Sequence, residues 1–285
     1  MNAYLVFIRR LLQLLFATVP PLAVRAAFRL FCYPAFDKIR NREQAIRSRA
    51  EIRAENVGGK TIKLFRWGSG NKTALLVHGW EGNAGSLGGF VEPLTNNGFR
   101  VISFDGPAHG ESSGYFTNLV EFSGVVGDLM KRVGPIDAVI SHSFGSGAAV
   151  LALHRNPEIQ LRNLVMVTAP DELKHVIREF SELMHLTDQQ HQRLVRFISK
   201  RFGVPARELV LHKMIPEIRV DRVMLLHDPE DRVLPFSGAR RIAEASNKLQ
   251  LVKAENRGHY RILWDSDLIR TVTGFVNTSN EKSTA

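Results

Sequence analysis

IDAVISHSFGSGAAV, residues 136–150, runs from a short apolar segment through a knot of serines and glycines into a line of small apolar residues. IDAVI (136–140) has the length and branching of a buried strand, and FGSGAAVLALHR (144–155) the composition of a helix that lies close to its neighbours. Only SHSFGS (141–146) is left to turn the chain between them. Ser143 at the apex of so sharp a turn is a candidate nucleophile. Serine is common, however, and such strings arise by chance. The reading therefore depends on whether the rest of the chain supplies a base, an acid and donors for an oxyanion.

Outward from this stretch the pattern repeats. AEIRAENV (50–57) and KTIKLFRW (60–67), joined by Gly58-Gly59, read as an antiparallel hairpin. TALLVHG (73–79), FRVISFD (99–105), IDAVISH (136–142), NLVMVTA (163–169), RVMLLHD (222–228) and KLQLVKA (248–254) read as strands. The most continuous apolar runs among them are expected of strands covered on both faces. Helices are expected near 86–97, 117–132, 144–155, 236–246 and 262–276. This alternation predicts an α/β fold with a mostly parallel central sheet and helices on both faces. The domain reading is an N-terminal amphipathic helical extension over 1–49, a core over 50–170 and 218–276, a helical insertion over 171–217 and a flexible tail over 277–285.

Composition narrows the function. The chain is 44% hydrophobic and 23% charged, ordinary values for a globular protein. Its single cysteine, Cys32, allows no intrachain disulfide and is expected to be a packing residue. The net charge is +10, but residues 1–66 hold 13 Lys/Arg against 4 acids and the remainder is nearly neutral. That distribution argues against a nucleic-acid groove across the body. No phosphate-binding glycine loop is present, and no cofactor or metal is expected.

Residues 4–19, YLVFIRRLLQLLFATV, are apolar apart from Arg9, Arg10 and a few polar positions, and Pro20-Pro21 ends the run. Sixteen helical residues reach roughly 24 Å, short of the roughly 30 Å hydrocarbon core. Two readings stay open: an amphipathic helix packed on the body, or an interfacial anchor on an anionic membrane. The expected location is cytoplasmic, with the inner face of a membrane as the site of any such contact.

Each strand ends in a reactive or turn-forming group: HGW (78–80), FDGPAHGES (104–112), SHSFGS, HDPEDRVLP (227–235) and, after the last strand, GHYRIL (258–263). Ligands in such sheets gather at the carboxyl ends of strands. Nucleophile, carboxylate and imidazole occur in the order Ser143, Asp231, His259, and with these motifs the chain, over roughly 50–276, resembles the α/β-hydrolase family. The resemblance implies an α/β-hydrolase fold and a Ser143–His259–Asp231 triad, with Asp228 as the fallback acid. It also implies an oxyanion hole from the backbone N–H groups of Trp80 and Phe144. The chain departs from the family's G-x-S-x-G at the first glycine, which is Ser141, small enough for the turn.

His78 and His109 are expected to hydrogen-bond loop backbone, His142 to pack under the turn, and Asp105 to brace a loop. His175, His185, His191 and His212 are expected to be solvated. The insertion is expected to act as a cap, with Phe180, Leu183, Met184, Leu186, Leu194, Phe197 and Ile198 either packing on the body or lining an acyl pocket. The implied activity is hydrolysis of small-molecule carboxylic esters through an acyl-enzyme. Thioesterase, lipase-like and acyltransferase chemistry are alternatives on the same fold. A non-catalytic binding protein is the alternative from another class, although such proteins usually lack a triad member or the elbow.

Overall fold

The computed structural model describes residues 3–35 and 38–278. The expected tail lies outside the described residues from 279 onward. Eight strands form one sheet: β1 (Glu51–Val57), β2 (Lys60–Trp67), β3 (Lys72–Val77), β4 (Phe99–Asp105), β5 (Ala138–His142), β6 (Leu161–Val167), β7 (Val220–His227) and β8 (Leu249–Lys253). Their order is β1-β2-β4-β3-β5-β6-β7-β8. β1 pairs antiparallel with β2, and β2 with β4; every later pairing is parallel. Gly58 and Gly59 both have positive φ, 58° and 77°, as a two-residue hairpin turn requires.

The helices are α1 (Ala3–Thr18), α2 (Pro20–Phe31), α3 (Asn41–Arg47), α4 (Val91–Asn96), α5 (Leu119–Arg132), α6 (Phe144–Arg155), α7 (Leu173–Leu183), α8 (Asp188–Phe202), α9 (Leu211–Met214), α10 (Phe236–Glu244), α11 (Gly258–Arg261) and α12 (Ser266–Asn277). They fall into two compact units. One holds the sheet with α3–α6 and α9–α12, spanning 34–171 and 211–285; the other joins 1–33 to 172–210.

In the first unit, period-2 alternation divides the strand side chains between two faces. Ala74, Leu76, Ala138, Ile140, Val165, Val167, Met224 and Leu226 share one core cluster with Leu94, Val272 and Phe275 of α4 and α12. The intervening Leu75, Val77, Val139, Leu164, Met166 and Leu225 are equally buried. They lie on the opposite face of the sheet, where α6 packs over β3 and β5 and α10 over β7. Gly145, near the start of α6, lies so close to β3 that a Cβ there would sit 2.6 Å from the Val77 carbonyl and 2.3 Å from that of His78. The small residues after Ser143 are thus what let the helix follow the strand so tightly.

The second unit revises two expectations and adds a helix. α1 stops at Thr18, just before Pro20-Pro21 as expected, but the pair also occupies the first turn of α2, where missing N–H groups cost nothing. Phe180 and Phe197 pack edge-to-face against Phe31 and Phe28, with centroids 5.3 Å apart in each case. The N-terminal helices are therefore their partners, which neither expectation named. His191 is not solvated: it is buried on the α8 face that carries Leu194, Ile198 and Phe202 and hydrogen-bonds the Ser181 hydroxyl at 2.9 Å. In the sheet unit, His212 likewise reaches Asp171 at 2.8 Å, whereas His175 and His185 are exposed. Among the described residues no helix is long and apolar enough to cross a membrane.

Candidate active site

β5 ends at His142, and the next residue takes φ 51° and ψ −119°. This is a conformation that non-glycine residues adopt only when their surroundings hold it, at a cost of about 1–3 kcal/mol. Those surroundings are visible. The Ser143 N–H donates to the carbonyls of Val167 (3.1 Å) and Thr168 (3.2 Å) at the end of β6. Ser141, where the family pattern has glycine, is fully buried. Its hydroxyl donates to the Val165 carbonyl at 3.0 Å and lies 3.2 Å from Ser146 Oγ, which in turn bonds the Thr168 carbonyl. The substitution is accommodated because the hydroxyl joins the bracing under the turn.

The turn lifts the Ser143 hydroxyl to 3.0 Å from Nε2 of His259. Nδ1 of the same ring lies 2.8 Å from Oδ2 of Asp231. A carboxylate only accepts, so the proton sits on Nδ1, leaving Nε2 to accept from Ser143. Oδ1 of Asp231 accepts from the amides of Val233 (2.7 Å) and Leu234 (3.0 Å). Burial disfavours its charge, but the His259 hydrogen bond and these amides outweigh it and hold Asp231 below the usual carboxylate range. Asp228 does not touch His259. It accepts from the amides of Glu230, Arg257 and Gly258, tying the β7–α10 loop to the segment that carries the imidazole. The two carboxylates thus divide between the ring and the backbone beneath it.

Trp80 and Phe144 come together: their rings meet edge-to-face at 5.1 Å. Gly79 is the reason their backbones can. A Cβ there would lie 3.3 Å from Ser143 Cβ and 2.8 Å from His142 Nδ1, so only glycine lets the end of β3 approach the elbow this closely. Among the described residues neither the Trp80 nor the Phe144 N–H has a hydrogen-bond acceptor. Phe144 also opens α6, whose N-terminal end favours negative charge.

His78 and His109 hold loop backbone, as expected, and so does His142, which was expected only to pack under the turn. His78 donates from Nδ1 to Gly79 O (2.7 Å) and accepts at Nε2 from Gly106 N–H (2.9 Å). His109 bridges Pro107 O and Glu81 N–H in the same fashion. His142 donates through Nε2 to the carbonyl of His259 at 3.0 Å. Burial, reinforced by the neighbouring imidazoles His109 and His259 respectively, pushes His78 and His142 down to about 3, so both are neutral.

Asp105 braces its loop, accepting from the amides of Ala84 (2.7 Å) and Glu111 (2.8 Å). Its main partner escaped sequence reasoning: Arg47, 2% exposed, makes a two-pronged pair with it at 2.7 and 3.1 Å and also reaches Glu111. Thr168 was also missed. It takes a left-handed φ of 56°, and its carbonyl serves both Ser143 and Ser146. Nothing in NLVMVTA signals this. Among the described residues no three His, Cys, Asp or Glu side chains converge as metal ligands would.

Comparison with known proteins agrees with this architecture. The structure superposes on an esterase from Exiguobacterium antarcticum with TM-score 0.61 and 18% identity, covering 80% of this chain and 100% of that one. It superposes on a bacterial membrane phospholipase A with TM-score 0.63 and 20% identity, covering 98% and 100%. A predicted CIB-like hydrolase from Thermoplasma acidophilum gives TM-score 0.58 and 16% identity over 80% of this chain and 99% of that one. At such identities the likeness speaks for fold alone.

In sequence, 98 residues are 34% identical to the dihydrolipoyllysine-residue acetyltransferase component of the acetoin cleaving system of Cupriavidus necator, 33% of this chain and 26% of that protein. The chain thus spans about a quarter of that relative's length. The sequence model of the alpha/beta hydrolase family matches residues 74–270, which takes in the strand ends HGW, FDGPAHGES and SHSFGS and the loops that carry Asp231 and His259. Sheet order, elbow and sequence match converge: the chain belongs to the alpha/beta hydrolase family.

Proposed function

We propose that the protein is a serine hydrolase that cleaves carboxylic esters through an acyl-enzyme. Ser143 attacks the ester carbonyl while His259 Nε2 takes its proton, and Asp231 steadies the imidazolium that forms. The tetrahedral oxyanion accepts from the Trp80 and Phe144 amides, each worth about 3 kcal/mol in the transition state. His259 then returns the proton to the leaving alkoxide. Water, deprotonated by the same ring, hydrolyses the acyl-Ser143 ester and restores the hydroxyl.

The observation that carries this reading is the unbroken line from Asp231 Oδ2 through His259 to Ser143 Oγ, with steps of 2.8 and 3.0 Å. The test is hydrolysis of p-nitrophenyl esters of increasing acyl length by wild type and Ser143→Ala. Wild type should turn over at least one chain length, and the variant should lose about 10⁴-fold or more in kcat. An active variant would remove Ser143 from the mechanism.

A lipid ester is the second reading. What favours it is that the match to a membrane phospholipase A extends over 98% of this chain, whereas the match to the esterase stops at 80%. Release of fatty acid from phosphatidylglycerol at rates above those for water-soluble esters would select it. Thioester cleavage and acyl transfer use the same groups and differ in the leaving group or final acceptor; the same panel with acyl thioesters and added alcohols separates them.

A further inference from the structure

α1 carries apolar side chains on both its inner and its outer face. The inner face is committed within its own unit. Leu12 and Phe16 are buried, Arg9 donates to the Leu183 carbonyl at 2.7 Å, and Gln13 donates to the His185 carbonyl at 2.8 Å while exchanging hydrogen bonds with Gln190. On the outer face Tyr4, Phe7, Leu11 and Leu14 are 70, 63, 46 and 60% exposed. At 3.6 residues per turn these four fall within one arc of about 80°. Val19 and Leu22, also about half exposed, extend the apolar surface to the α1–α2 junction.

Charge limits what can cover this stripe. Residues 1–36 contain four arginines and no Asp or Glu. Arg10 flanks the stripe on α1, and Arg25 and Arg29 share the exposed face of α2 with Leu22. None of these three has an acidic partner among the described residues. A second copy docked stripe to stripe would bring arginine against arginine with no acid on α1 or α2 to offset it. An anionic surface with an apolar interior satisfies both halves of the pattern. The helix spans roughly 24 Å, which suits a helix lying in the interface rather than one crossing it.

We propose that the outer stripe of α1, with Arg10, Arg25 and Arg29, docks the protein in the plane of an anionic lipid surface. The side chains of Phe7, Leu11 and Leu14 enter the acyl boundary and the arginines meet headgroup phosphates. Since α1 is held by its inner face to α7 and α8, docking does not require the helix to leave its unit.

The test is co-sedimentation of the full chain with vesicles of phosphatidylglycerol mixed into phosphatidylcholine, against phosphatidylcholine alone. Wild type should pellet with the anionic vesicles and lose at least about tenfold in partitioning on the neutral ones. Arg10→Glu/Arg25→Glu/Arg29→Glu should lower anionic partitioning by about 100-fold, and Phe7→Ser/Leu14→Ser should abolish it. All five positions are solvent-facing, so the melting temperature should hold. If the serine variant nevertheless unfolds, the arginine variant carries the test. Wild type that stays in the supernatant would overturn the proposal. So would both variants pelleting like wild type, or a wild-type dimer that the serine variant splits without any vesicle binding. The assay runs equally on Ser143→Ala, so its outcome is independent of the catalytic reading.

Discussion

Asp231→Asn separates a triad from a mere cluster of polar residues. In the native site Oδ1 accepts two backbone amides and Oδ2 faces Nδ1–H of His259. An asparagine has one acceptor and one donor end. The two amides can only donate, so they fix the asparagine oxygen at the Oδ1 position and force its NH₂ toward the ring. Nδ1 must then accept, the proton moves to Nε2, and Nε2 can no longer take a proton from Ser143. The fold loses little, because both amide bonds survive, while kcat should fall about 10⁴-fold.

Asp228→Asn is the internal control. Its three amide donors leave one N–H facing an NH₂, so it should loosen the loop and lower stability by about 1–3 kcal/mol. It should not trap the wrong tautomer, and its kcat should fall by less than about 100-fold. Ester turnover alongside urea unfolding of both variants reads the two effects apart. If Asp231→Asn keeps activity within tenfold of wild type, or if Asp228→Asn is the more damaging to kcat, the assignment of the acid is wrong.

Three further outcomes follow from the same contacts. His78 and His142 stay neutral in the fold down to about 3 but titrate near 6.5 when unfolded, so the unfolded chain binds more protons in that window. Stability should therefore fall as pH falls from 6.5, by up to about 1.4 kcal/mol per pH unit for each ring; urea midpoints should show His142→Gln with a shallower slope than wild type. Arg47→Met leaves the Asp105 carboxylate buried without its cation and should cost about 3–5 kcal/mol, part of it recovered in Arg47→Met/Asp105→Asn, with thermal denaturation as the measure. Ser141→Gly restores the family residue but deletes hydrogen bonds to Val165 and Ser146, so it should lower stability by about 0.5–1.5 kcal/mol while ester turnover stays near wild type.

What could be read from the sequence, and what could not, follows the range of the interactions. The strands were legible because β3, β5 and β6 each contain an uninterrupted apolar run (ALLV, AVI and LVMV), a signal contained in half a dozen neighbours. Ser143, Asp231 and His259 were legible because the fold puts chemistry at strand ends, and the chain's strand ends are easy to find. Arg47 was not. Its charge reads as part of a basic surface, and the acid that buries it lies 58 residues away. His191 was open to a closer reading, since 191, 194, 198 and 202 share one helical face and the histidine lies on the side that Leu194 and Ile198 bury. The α2 helix was hidden by the double meaning of Pro20-Pro21, which stops a helix from within and starts one at its first turn. The partnership of α1 and α2 with α7 and α8 joins segments about 170 residues apart through rings and carbonyls, and no local pattern records it.

The central claim is that a single hydroxyl on the strained turn after β5 is activated by the ring it touches. Intact-protein mass after exposure to a fluorophosphonate probe tests it most directly. One adduct on wild type, mapped to the peptide bearing residue 143 and lost in both Ser143→Ala and His259→Ala, is the predicted result. An adduct on a different residue, or labelling of the alanine variant at the wild-type rate, would contradict it.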